Sequence, residues 1–233
     1  MPADAAKDAR PSLFRLSPAA SRGHASDKNV IMEGLTRRLL LLHFSDRLSR
    51  AFALALRVHD GQKRTGTDIP YIVHPLDVCR LVIARGGSER QACAALLHDA
   101  AEDGGEAWLE AIRSEVGEDV LELVLACTDE VAAPGVKKQP WRDRKLAHLA
   151  RMTDPQAVPD EAILVLSADK LSNLTDIFRD AVRIGDEVYQ RFTARKEGTL
   201  WYYQRLADVL KDRRSPLAAE IAELLRRVEN LPA

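Results

Sequence analysis

His98, Asp99, Glu102 and Asp103 place an imidazole and three carboxylates close together, directly after the apolar run Ala92-Cys93-Ala94-Ala95-Leu96-Leu97. The run predicts a buried helix. Continued through this segment, that helix sets His98 with Glu102, and Asp99 with Asp103, on about the same side of its last turn. Burying three carboxylates unpaired is costly, and a divalent cation would offset that cost. The segment therefore reads as a metal site first and as part of an enzyme second. Acids in a C-terminal turn also oppose the helix dipole, which favours a functional role for Glu102 and Asp103 over a merely solvated helix end.

Two more residues could reach the same ion. His74 precedes a helix expected to start at Pro75, and Asp169 lies on a helix expected from Glu161. Two imidazoles and two carboxylates suit a first-row divalent ion with positions left for water, such as Mn, Fe, Co or Zn. Mn2+ is favoured if the substrate carries phosphates, whose oxygens complete the shell. Such an ion lowers the pKa of a water it binds and makes it a nucleophile near neutral pH. Glu102 and Asp103 would then orient or deprotonate that water, or protonate a leaving group. Singly, each residue has a plainer reading: His74 as a satisfied core histidine, and Asp169 as the partner of Lys170. The argument needs a fold that brings distant segments to one point.

The elements that must do this are helical. From Leu35 onward the apolar pattern has helical rather than alternating character. Helices are predicted at about Ser45 to His59, with Phe52, Leu56 and His59 as one face, and from Pro75 to Gly86. The next runs from a Ser88/Gln91 capping box to Gly104. Further helices are expected at Glu106 to Val116, Glu118 to Cys127, Arg142 to Met152, and Glu161 to Arg179 with Asp160 as N-cap. The last two run from Asp186 to Asp212, with a break allowed at Gly198, and from Leu217 to Val228. Gly61 to Pro70 and Ala132 to Pro140 read as loops. No strand is predicted, and the fold class is all-α. Residues 1–30 lack periodicity and read as a disordered tail. Residues 31–212 form the main domain, and residues 213–233 form a C-terminal amphipathic helix packing on that domain or on a partner.

The chain of 233 residues can bury one good-sized core. Its formal net charge of -1 argues against a general binder of nucleic acid or membrane surfaces, although a local basic patch would be hidden in that sum. The longest aliphatic run, Leu39 to Leu42, is too short to span a bilayer, and the acid-bearing start, Met1 to Asp8, does not read as a secretory leader. Cys79, Cys93 and Cys127 are odd in number and show no CxxC spacing. They are expected to be buried free thiols in a reducing cytosol. These features predict a cytoplasmic protein that binds neither nucleic acid nor membranes, and none of them sets an oligomeric state.

The segments His59-Asp60-Gly61-Gln62-Lys63-Arg64, Pro70-Tyr71-Ile72-Val73-His74-Pro75, Ala94 to Asp103, and Ala168-Asp169-Lys170-Leu171-Ser172-Asn173-Leu174 follow one another in an informative order. That order resembles the HD metal-dependent phosphohydrolase superfamily. Within it, the chain is similar to the RelA/SpoT hydrolase domain and the stand-alone small alarmone hydrolases, over about residues 45–210. The resemblance implies an HD-domain helical bundle whose metal ligands are His74, His98, Asp99 and Asp169, typically holding manganese. It implies that Glu102 and Asp103 act in hydrolysis of the 3′-diphosphate of (p)ppGpp, giving pyrophosphate and GDP or GTP. Arg64 would contact phosphates or the base region, Asn173 the ribose, and Tyr202 or Tyr203 a further phosphate. The remaining residues are too few for a synthetase domain, which predicts a hydrolase alone. The chain departs from the family pattern at Thr65, where a basic residue is common, at Gly104, where threonine is usual, and at Asp176, where a small or neutral residue is frequent. These departures leave the metal ligands intact and bear on the substrate. Two alternatives stand beside the (p)ppGpp reading: an HD phosphohydrolase for another nucleotide or phosphoester, and a non-catalytic nucleotide-sensing HD module.

Overall fold

Residues Gln91 to Leu97 are buried without interruption, so the helix that carries them has no solvent face and must lie at the centre of the molecule. The computed structural model describes residues 45–100, 106–128 and 139–232. Regular structure among these residues is helical, with one isolated bridge between Lys63 and Pro70. In chain order the elements are α1 (Asp46–Val58), α2 (Val73–Ala84), α3 (Glu89–Leu97), α4 (Glu106–Glu115), α5 (Glu118–Cys127), α6 (Trp141–Thr153) and α7 (Asp160–Ile184). A 3-10 helix (Gly185–Arg191), α8 (Arg195–Asp212) and α9 (Ala218–Glu229) complete them. The all-α expectation holds. No helix among the described residues is long and apolar enough to cross a membrane.

The buried helix is α3, which packs against α1, α2, α5 and α7. Its start is set locally by the expected capping box. Ser88 Oγ accepts from Gln91 N at 3.2 Å, and Gln91 Oε1 accepts from Ser88 N at 2.8 Å. Gln91 then uses its amide nitrogen on the carbonyl of Glu161 at 2.9 Å, tying α3 to the first turn of α7. The second organising element is α7, 25 residues long and so roughly 37 Å. It is buried on every side from Ala162 to Asp169, and afterwards mainly at Leu171, Ser172, Leu174, Ile177 and Ala181. Its first half is therefore core, and its second half presents one face to the interior. On α9, Ile221, Leu225 and Val228 are buried where the helix packs on α7 and α8.

Several boundaries differ from the sequence reading, each for a physical reason. The buried face of α1 is Ala51, Leu54, Ala55 and Val58, whereas Phe52 and Leu56 are 36% and 46% exposed. Ala51 and Ala55 on the inner face let α1 pack on α3 beside Leu54 and Val58, and Phe52 and Leu56 point outward. Helix α2 begins at Val73, so Pro75 sits inside the first turn, where its missing N–H has no intrahelical duty. Helix α3 ends at Leu97, not near Gly104, and His98 is its C-cap. Pro159, not Asp160, occupies the N-cap position of α7. The Asp160 carboxylate instead meets Arg213 Nη2 at 2.9 Å. The chain between Asp186 and Asp212 does break, but at Phe192 to Ala194 rather than at Gly198. Gly198 lies inside α8, where a Cβ would come within 2.7 Å of Ala194 Cβ and 3.5 Å of the Trp141 ring.

The three cysteines are free and buried. Burial pushes the Cys79 thiol up to about 11, and those of Cys93 and Cys127 up to about 12. The native protein should accordingly react with a thiolate-selective disulfide reagent at pH 8 only as fast as it unfolds, with all three thiols released in denaturant. In urea denaturation, Ser88→Ala should cost about 1 kcal/mol through loss of the cap, and Leu97→Ala about 2–5 kcal/mol through the cavity it leaves.

Candidate active site

Where α3 stops, the chain turns through His98 and Asp99, and this turn aims both side chains at α2 and α7. The Nδ1 atom of His98 lies 2.8 Å from the carbonyl oxygen of Ala95. Donation from Nδ1–H to that carbonyl fixes the ring and directs Nε2 toward the carboxylates. Asp99 Oδ2 stands 3.1 Å from this Nε2 and accepts from Tyr71 Oη at 2.7 Å. From the first turn of α2, His74 brings Nε2 to 3.7 Å from Asp99 Oδ2 and 3.2 Å from Asp169 Oδ1. Its Nδ1 is 3.2 Å from Ser172 Oγ, which orients the ring. Asp169, on the fully buried part of α7, has Oδ1 at 3.8 Å from His98 Nε2. It also accepts from Asn173 Nδ2 at 2.5 Å and from Lys170 Nζ at 2.7 Å.

The four expected metal-site residues thus converge from three separate segments. Ligand atoms of His74, His98 and Asp99 lie within 4.8 Å of one another, a group that could hold a metal ion. The electrostatics suit a cation. Burial opposes charge on Asp99, yet the charge of His98 outweighs it and holds the carboxyl well below its usual range. Burial likewise opposes charge on Asp169, and Lys170 with the two imidazoles overcomes it. For His98, burial lowers the pKa, but Asp99 and Asp169 raise it well above the usual 6.5. A proton on His98 therefore supplies the positive charge that two buried carboxylates demand. His98 Nε2 is buried and makes no hydrogen bond among the described residues. Two nitrogen and two oxygen donors around that atom fit a first-row divalent ion.

Beside this cluster opens a cavity of about 690 Å³, bounded by the 59–72 loop, α7, the 3-10 helix, α8 and the start of α6. It meets the cluster through Tyr71, Lys170 and Asn173, which line it and also touch Asp99 or Asp169. Six basic side chains face it, Arg64, Lys145, Lys170, Arg179, Arg183 and Arg191, against the carboxylates Asp176 and Asp180. Arg64 Nη2 donates to Asn173 Oδ1 at 2.8 Å and to Asp176 Oδ2 at 2.9 Å. Tyr202 and Tyr203 are buried in the wall. The Tyr202 ring sits 6.3 Å from that of Trp141, and Tyr203 Oη donates to the Lys170 carbonyl at 3.4 Å.

The HD domain family model matches residues 51–200. The chain belongs to the HD-domain family. Relatives include a guanosine-3′,5′-bis(diphosphate) 3′-pyrophosphohydrolase of Aquifex aeolicus, 34% identical over 149 residues. That match covers 62% of this chain and 20% of the relative. Another is the guanosine-3′,5′-bis(diphosphate) 3′-pyrophosphohydrolase MESH1 of Xenopus tropicalis, 34% identical over 54% of this chain and 66% of its own length. The chain thus spans about a fifth of the first and just under two thirds of the second. Among solved structures, a metazoan ortholog of SpoT that hydrolyzes ppGpp superposes with a TM-score of 0.63, at 24% identity over 80% of this chain and 98% of that one. A Listeria monocytogenes structure superposes with a TM-score of 0.57, at 27% identity over 70% and 99%.

For this HD domain, the geometry brings together His74, His98, Asp99, Asp169, Arg64 and Asn173, and leaves Tyr202 in the cavity wall. Glu102 and Asp103 lie outside the described residues. The sequence reading gave no role to Tyr71 or Ser172, whose hydroxyls serve Asp99 and His74. Ser172 sits one turn beyond Asp169, the only local sign of its position. A metal ion held by His98 would need the neutral imidazole, so its binding would expel the His98 proton. Below the raised His98 pKa, metal affinity should climb by about tenfold per pH unit, levelling off above it. Conversely, the metal-free protein should lose the stability contributed by protonated His98 as pH rises from 6.5 through that raised value. Calorimetry in buffers of different ionisation enthalpy should count one proton released per ion at the lower pH.

Proposed function

We propose that this chain is a divalent-metal-dependent phosphohydrolase that removes the 3′-diphosphate of (p)ppGpp, leaving pyrophosphate and GDP or GTP. One observation carries the reading: a basic, aromatic-walled cavity of about 690 Å³ lies beside the His/Asp cluster and shares Tyr71, Lys170 and Asn173 with it. Its volume lies within the range of small-ligand sites, and its charge suits a polyanion. Tyr71, Trp141, Phe192 and the two tyrosines offer faces to a base or sugar. The Aquifex and Xenopus relatives, both guanosine-3′,5′-bis(diphosphate) 3′-pyrophosphohydrolases, support the same substrate.

In this reading His74, His98, Asp99 and Asp169 hold the ion, and Mn2+ is favoured because phosphate oxygens complete an oxygen-rich shell. The ion, when bound, neutralises phosphate charge and lowers the pKa of water beside it. The protein supplies the rest. Ser172, Ala95 and Tyr71 fix the two imidazoles and Asp99, so the donors need little reorganisation. Arg64 and Lys170 offset the charge of the scissile diphosphate. Asn173, already bonded to Asp169, meets the ribose, and Tyr202 or Tyr203 meets a further phosphate. Glu102 and Asp103, next in sequence to the cluster, handle the attacking water and the leaving-group proton. Of the domain expected over residues 31–212, residues 31–44 lie outside the described residues, as does the whole of the expected tail, residues 1–30. Three buried free thiols accord with a reducing, cytoplasmic setting.

A second reading rests on Asp176, a carboxylate on the cavity wall: the same machinery acting on a different phosphorylated nucleotide. The test is turnover of a nucleotide panel by Mn2+-loaded protein. Cleavage of ppGpp above the rest is expected; an inert ppGpp with another nucleotide cleaved would select the second reading. Metal binding with no turnover of any member would leave a nucleotide-sensing module. Asp169→Ala should abolish turnover and most metal content, whereas Glu102→Gln should retain metal and slow kcat by about 10²- to 10⁴-fold. Equal metal loss in both variants would overturn the separation between residues that hold the ion and residues that handle water.

A further inference from the structure

Four of the basic side chains on the cavity wall pair with just two carboxylates, both on the same wall. Asp176 and Asp180 stand one turn apart on α7, both facing the cavity. Asp180 accepts from Arg183 and from Arg191. Asp176 Oδ2 accepts from Arg64 Nη2 at 2.9 Å, while its Oδ1 lies 3.8 Å from Arg179 Nη1.

These pairs are not equivalent. Arg179 and Arg183 are 72% and 68% exposed and pair within their own helix, a kind of contact that solvent and salt weaken. Arg64 is only 18% exposed and crosses from the 59–72 loop to α7. Its guanidinium lies 5.6 Å from the centre of the Tyr71 ring. Both of its hydrogen bonds leave from Nη2, one to Asn173 and one to Asp176. Tyr71 donates to Asp99 and Asn173 donates to Asp169. Arg64 therefore stands one residue away from each carboxylate of the cluster, where a phosphate presented to the ion would meet it. The adjacent wall residue is the neutral Thr65, which adds no second cation.

A carboxylate and a phosphate compete for the same planar fork of donors. We propose that Asp176 is a specificity-determining residue, a built-in competitor that holds Arg64 until a ligand with enough negative charge outbids it. Resting on the reading of this cavity as a polyphosphate site, the proposal assigns Asp176 the rejection of weakly charged monoesters. Diphosphates, with more charge and more acceptor oxygens, capture Arg64 despite the carboxylate. Asp176 is 46% exposed in its side chain, so replacing it leaves the core untouched.

The test is calorimetric titration of the full-length protein with inorganic pyrophosphate and with orthophosphate at fixed ionic strength. Asp176→Asn keeps the shape and an acceptor oxygen while removing the charge, and Asp176→Ala removes both. Both variants should bind pyrophosphate about tenfold more tightly than wild type, and the preference for pyrophosphate over orthophosphate should narrow. In an Arg64→Gln background the Asp176→Asn gain should vanish, because the two residues act on one contact. Unchanged or weaker binding by both variants, a gain that persists without Arg64, or no binding by any variant would overturn the proposal. Nucleotide turnover is measured separately, so a protein that cleaves no nucleotide yet shows the pyrophosphate gain retains this inference and loses the hydrolase reading.

Discussion

Two carboxylates and two imidazoles packed inside an apolar helical core form the constraint around which this molecule is organised. Asp99 and Asp169 are ionised where ionisation is costly, and both carboxylates are surrounded by donors and cationic groups. Tyr71 and His98 serve Asp99; Asn173, Lys170 and His74 serve Asp169; Ser172 and the Ala95 carbonyl serve the imidazoles. A buried ionic group with one partner removed is more destabilising than the intact group is stabilising. The demand for cooperation among the 59–72 loop, the end of α3 and the middle of α7 follows from this asymmetry. A divalent ion fits where the protein otherwise needs a proton on His98.

The scaffold meets the demand through backbone geometry as well as packing. The 59–72 loop doubles back on itself through bonds from Arg64 N to the Ile69 carbonyl and from Tyr71 N to the Gln62 carbonyl, both 2.9 Å. Gly66 turns it with a φ of +73°, and a side chain there would run into Arg191 at 2.7 Å. The conformation favours glycine, and any side chain there would have to displace Arg191. The outcome is a stiff connection that holds Tyr71 over the cluster and Arg64 over the cavity. At the other end, α3 stops one residue before His98, so a turn rather than a helix directs His98 and Asp99. Function in this fold depends on where helices end as much as on where they run.

Charge shows the same division between global and local. The whole chain carries a formal net charge of -1, which describes a protein with no general affinity for anions. The cavity wall carries six basic groups against two acidic ones, and low-dielectric walls focus that local excess. The proposed handling of phosphates beside a cation draws on this local excess, and the arginine–aspartate pairs on the wall set part of the excess against carboxylates.

Features governed by neighbours in the chain were legible from residues alone. The unbroken apolar run of α3, the Ser88–Gln91 cap, the bounds of α5 and the helical class of the fold all rest on contacts within a few residues. The motifs around His74, His98 and Asp169 were also readable as residue types that suit a metal. The sequence could not show which face of α1 is buried, because that depends on the fit of Ala51 and Ala55 against another helix. Nor could it show that Ser172 orients His74 across 98 residues, or that Asp176 engages Arg64 across 112. Hydrophobic spacing and capping are local interactions and leave their pattern in the order of residues. Long-range polar contacts inside a core exist only once packing has excluded water and fixed the distances, and only the tertiary structure decided those.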